Sequence, residues 1–176
     1  MKKNAFIFAV ASLFILCVGC EYKAPITEEH GIKIDSAVLG VWEEIPADGG
    51  ADKPNKMLVL EYSDTEYVVC CPAGVKDSLY FKAYPAEVGG VTFIQTKWIG
   101  TDKGGVADQP KRYHAASYRI ADGVLEYKLL NTALVDKELG DTAALKKAFL
   151  KHKDSPELFT KPVRLRRISD SAPDSK

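Results

Sequence analysis

The feature that most constrains this chain is a series of short β-branched and aromatic runs, each closed by a tight turn signal. Lys56 to Tyr62 (KMLVLEY) and Thr65 to Cys71 (TEYVVCC) are separated only by Ser63-Asp64. Leu79 to Ala86 and Val91 to Ile99 flank Gly89-Gly90, and Arg112 to Ile120 and Val124 to Leu130 flank Asp122-Gly123. Asp-Gly between two such runs specifies a hairpin, because both central residues of the favoured turn take positive φ. In the arm after Asp122-Gly123, Leu125, Tyr127 and Leu129 alternate with Glu126 and Lys128, so one face is buried and one is wet. A first run beginning near Ala37 (VLGVWEEI) and a last one from Val163 to Ile168 (VRLRRI) complete the series. Short antiparallel strands joined by tight turns form a meander, and closing it into a barrel removes its exposed edges. The expected fold is mainly β: an up-and-down antiparallel barrel of about eight strands, with one helix before the last strand.

That helix is announced by a change of period. Asp141 can cap a segment running from Thr142 to His152, where Ala144, Leu145, Ala148 and Phe149 share one face. Lys146, Lys147, Lys151 and Lys153 form a solvated face, or one attracted to anionic lipid. Pro72 ends the run before it, and Pro85 suggests an edge or a bulge. Ala47 to Asn55 and Gly100 to Lys111 read as long polar loops.

The N-terminus follows a different logic. Lys2 and Lys3 precede a nearly unbroken apolar run, Ala5 to Val18, and Val18-Gly19 places small residues before Cys20. A basic start, an apolar core and a small-residue cleavage site make a secretory signal, too short for a spanning helix. Gly19-Cys20 closely resembles the bacterial lipoprotein signal, although Cys17 stands where that family usually has Leu. The resemblance implies removal of residues 1–19, diacylation of the Cys20 sulfur and a membrane partner reached through that lipid. Glu21 follows the cysteine; enteric-type lipoproteins retained at the inner membrane often carry Asp there, so the expected address is the bacterial cell envelope, leaning to the outer membrane. Residues 20–36 are polar and aperiodic and are expected to be a flexible tether. The body is residues 37–168, a single domain, and 169–176 is a polar tail expected to be disordered.

Gly40-Val41-Trp42 in the first run is similar to the Gly-x-Trp that opens lipocalin and related calycin barrels. The resemblance implies structural roles for Gly40 and Trp42, with a basic residue of the last strand stacked across the indole. Arg164 and Arg166 are the candidates for that stack, with Arg167 in the same element. The Thr-Asp-Tyr type of element found later in lipocalins is missing: Thr101-Asp102 continues with Lys103. The resemblance also implies a pocket for a small apolar ligand at the end away from Trp42, although an eight-strand barrel can equally be filled by its own side chains.

Chemistry is sparse. Lysine and arginine number 24, as do aspartate and glutamate. Losing Lys2 and Lys3 leaves a slight negative excess, which disfavours nucleic acid as a partner. His30, His114 and His152 have no metal-ligand spacing. No Gly-x-Ser-x-Gly elbow is present, and His114 and Ser117, three apart in one strand, point to opposite faces. No catalytic residue and no cofactor are expected. Cys70-Cys71 remains, either as one cysteine in the core and one outside or as a strained vicinal disulfide serving as a redox pair. The expected function is ligand binding in a lipid-anchored barrel. A non-enzymatic scaffold meeting another envelope protein through its loops is the alternative.

Overall fold

A computed structural model describes residues 20–46, 54–105 and 112–168. The signal stretch and the tail lie outside the described residues, as do most of both long loops (47–53 and 106–111). The strands are β1 (Gly40–Glu44), β2 (Lys56–Ser63), β3 (Glu66–Cys71), β4 (Leu79–Val88), β5 (Val91–Thr101), the two-residue β6 (Gly104–Gly105), β7 (Tyr113–Ala121), β8 (Val124–Leu129) and β9 (Val163–Arg167). Among the described residues β6 pairs only with β5, and it lies in the Gly100 to Lys111 stretch that the sequence marks as a loop. The other eight close an antiparallel barrel in which sequence neighbours pair, β5 pairs with β7, and β9 returns to β1.

Hairpin turns at Asp64-Thr65, Gly89-Gly90 and Asp122-Gly123 all lie at one end. Asp122 and Gly123 have φ of 52° and 72°, the primed-turn geometry that matches strand twist. The longer connections all lie at the opposite end. Pro85 sits within β4 opposite Ile94 of β5, beyond the last β3 partner, Ala83. It therefore needs no ladder hydrogen bond on that side. The irregularity in this pairing lies opposite Tyr80 and Phe81, where Ile99 of β5 is the extra residue.

Following paired residues once around the barrel returns to the starting strand displaced by roughly a dozen positions, the stagger that closure requires. An eight-strand barrel with a shear of about 8 is packed solid by its own side chains. The larger stagger tilts these strands further and widens the bore.

Two apolar clusters follow from strand alternation. Inside the barrel are Val38, Trp42, Val59, Tyr67, Ala83, Leu125 and Leu165. On the outside of β4, β5 and β7, residues such as Tyr84, Ala86, Phe93 and Ala115 are covered by α1 (Thr142–His152) through Leu145 and Phe149. The Asp141 carboxylate accepts from Ala144 N at 2.8 Å, capping α1 as the sequence implies.

The expected tether is a correction. Residues 20–36 strap the barrel instead of hanging free, and Tyr22 and Ile26 are only 3% and 1% exposed. Tyr22 exchanges backbone hydrogen bonds with Tyr113 (2.8 and 3.0 Å), and its hydroxyl donates to Val135 O at 3.0 Å. Ile26 N donates to Gln95 Oε1, whose Nε2 donates to His114 O. Farther on, Ile34 N reaches Asp64 O, and a 3-10 turn (Ser36–Val38) leads into β1. Tyr22 and Ile26 join the outer cluster with Leu145 and Phe149 of α1, whereas Ile34 packs against the inner one.

Phe149→Ala is expected to cost about 3–5 kcal/mol through the cavity it leaves, read as a lower urea midpoint. Lys147→Ala, on the exposed side of the same helix, is expected to stay within about 0.5 kcal/mol.

Candidate functional site

The interior holds an apolar cavity of about 160 Å³. Its position follows from alternation along the strands. Val59 on β2, Tyr67 on β3, Tyr118 on β7 and Leu125 on β8 form its floor near the hairpin end, with Val38 of the 3-10 turn beneath. Ala83, Ile94 and Ala116 line the middle, where two small side chains leave space that larger ones would fill. Cys71, Phe81, Thr96, His114 and Leu129 stand towards the long-loop end. The few polar side chains at that end form a partial collar: His114 Nδ1 lies 3.4 Å from Thr96 Oγ1, and the imidazole meets Phe81 edge to face.

The hairpin end is sealed by an aromatic–cation pair. Trp42 is fully buried, and its Nε1 donates to Val38 O at 2.8 Å, tying strand to 3-10 turn. The guanidinium of Arg167 lies 4.7 Å from the indole ring and donates to Ala37 O. Gly40 has φ of +122° and lies under that guanidinium, 3.5 Å from where a Cβ would stand. A side chain there would be strained by that positive φ, although its Cβ would make only ordinary contact with Arg167. Gly40 and Trp42 are thus structural, but neither Arg164 nor Arg166 stacks on the ring. β9 alternates, so Arg167 shares the inward face of Leu165 while the other two point outward. Arg166 Nε pairs with Glu43 at 3.0 Å, and Arg164 faces Glu126 of β8.

Tyr67 anchors the floor. Its hydroxyl accepts from Asp35 N at 2.7 Å, donates towards Asp35 O and meets the Tyr118 hydroxyl. Burial pushes the Tyr67 and Tyr84 phenols up to about 12.

The vicinal disulfide is also a correction. No disulfide joins Cys70 and Cys71, because alternation sends Cys71 to the cavity wall and Cys70 to the outer face beside Tyr80. His114 lines the cavity, whereas Ser117 is not among its lining residues. Among the described residues no group of three or more His, Cys, Asp or Glu is placed to hold a metal ion, and no helix is long and apolar enough to cross a membrane. Cys20 is half-buried, and that burial raises its thiol above the usual range. No protein-family model, curated protein or solved structure matches the chain.

Arg167→Ala is expected to lower stability by about 1–2 kcal/mol through loss of the stack and its hydrogen bond. Arg166→Ala, which removes an exposed ion pair, is expected to change it by less than about 0.5 kcal/mol; thermal melts of both variants check the assignment. The tyrosines give a pH dependence. An unfolded phenol loses its proton near pH 10, whereas folded Tyr67 and Tyr84 keep theirs to about 12. The unfolded state therefore binds fewer protons in that window, and stability falls as pH rises through it. Urea midpoints between pH 9 and 12 should fall, and Tyr67→Phe should flatten the slope.

Proposed function

We propose that the mature chain is a lipid-anchored envelope protein that binds a small apolar ligand inside its barrel, in the manner of a lipocalin-like carrier. The observation carrying this reading is the apolar cavity inside the barrel. At about 160 Å³ it matches the size of an engineered apolar cavity of about 150 Å³ that stays dry and binds benzene. The ligand is therefore small, of roughly six to ten heavy atoms, or a segment of a longer chain. Gly40, Trp42 and Arg167 support the lipocalin-like reading, since they close one barrel end as the Gly-x-Trp resemblance implies. Lys2, Lys3, the apolar run and Gly19-Cys20 support lipid anchoring at Cys20 in the bacterial envelope, leaning to the outer membrane. The role requires no catalytic group and no cofactor.

A scaffold role has one observation of its own. Leu60 and Tyr62 stand exposed side by side on the outer face of β2, a patch that suits a second envelope protein.

Titration calorimetry of the purified barrel with alkyl alcohols of increasing length should show affinity rising, then levelling off once the cavity is filled. Ala116→Phe, which places a ring in the cavity, should abolish binding while leaving the circular dichroism spectrum unchanged. Equal binding by Ala116→Phe would place the ligand elsewhere and favour the scaffold.

A further inference from the structure

We infer that the long-loop end of the barrel, with the collar of its cavity, faces the bilayer to which Cys20 anchors the chain. This rests on the lipid-anchoring reading above and goes on to an interaction surface, a lipid headgroup layer, that the anchor alone does not specify. Tyr22 is buried and pinned by two backbone hydrogen bonds to Tyr113 at the start of β7, which lies at the long-loop end. Between it and Cys20 stands only Glu21, itself held by Arg112 at 3.1 Å. At about 3.5 Å per residue, an extended chain gives the acylated sulfur little reach from the barrel rim. A domain on so short a leash cannot turn its opposite end to the membrane.

A second observation lies at the same rim. Val75, in the β3–β4 loop, is 53% exposed, and Ile99, near the end of β5, is 38% exposed. Arg112 stacks over Trp98, the neighbour of Ile99, and this joins the Cys20 side of the rim to that apolar corner. Lys76 adjoins Val75 in sequence, and Lys103, in the turn after β5, is ion-paired with Asp77. Exposed aliphatic side chains beside cations suit an interface between acyl chains and anionic headgroups. By contrast, the hairpin end is sealed by Trp42, Arg167 and the 3-10 turn. A small apolar molecule dissolved in the bilayer would then meet the collar of His114, Thr96 and Cys71 without crossing bulk water.

The test uses the full chain, processed in a bacterium and placed in nanodiscs of phosphatidylethanolamine and phosphatidylglycerol with a gadolinium-chelating headgroup lipid. The mass of the purified protein reports acylation of Cys20. Backbone amide signals of Val75, Ile99, Lys103 and Arg112 should be broadened most, and those of Asp64, Gly90 and Gly123 least. Inserting about 15 Gly/Ser residues after Cys20, which gives roughly 20 Å of slack, should weaken the contrast. Broadening centred on the hairpin turns, or on Lys146 to Lys153 of α1, in an acylated protein overturns the orientation and leaves the anchor intact. An unmodified Cys20 and no binding to discs overturns the anchor, and the orientation with it.

Discussion

The stagger of the barrel is the constraint on which the rest depends. Strand number alone does not decide whether an eight-strand barrel is solid or hollow, because tilt and bore change with the register at closure. Here the displacement around the ring exceeds that of the solid eight-strand case. The wider bore must be filled, wetted or left empty. Large side chains fill it at the hairpin end, where Trp42, Tyr67 and Leu165 pack together. Ala83 and Ala116 leave it open in the middle. An empty apolar volume forfeits dispersion contacts, and that loss is offset when a ligand supplies them.

The other half of the stabilisation lies outside the barrel. β4, β5 and β7 are apolar on both faces over part of their length, which a simple one-sided sheet does not tolerate in water. α1 and the N-terminal strap cover that second face, with Phe93 against Phe149 at 5.2 Å and Tyr22 and Ile26 beside them. Gln95, turned outward from the barrel yet buried, is satisfied from both sides by Ile26 N and His114 O. The strap thus links the outer core to the backbone of a cavity residue, and then continues to the plug under Trp42.

What was legible in the sequence was local. Asp122-Gly123, Gly89-Gly90 and the Asp141 cap each fix geometry within a few residues, so strand count, hairpins and helix bounds could be read directly. The closing arginine was assigned to the right strand but the wrong face, although a signal for it was present. Val163 and Leu165 mark the inward face of the last strand, and counting on by two reaches Arg167 rather than Arg164 or Arg166. The strap was harder, since Tyr22 and Ile26 are isolated apolar residues in a polar stretch and only long-range packing buries them. Their spacing beside Pro25 was the signal available. The cavity could not be read at all, because it depends on register summed around the whole ring and on which small residues meet across it.

The central claim is that this interior is a binding site. Native mass spectrometry of the protein released gently from the producing cell, compared before and after denaturation, tests it most directly. The expected result is a reproducible extra mass that is lost on denaturation, of a size matching a small apolar molecule. That mass should be absent when Ala116→Phe is purified in the same way. An extra mass retained equally by Ala116→Phe, or a bare chain that also takes up none of the alkyl series, would contradict it.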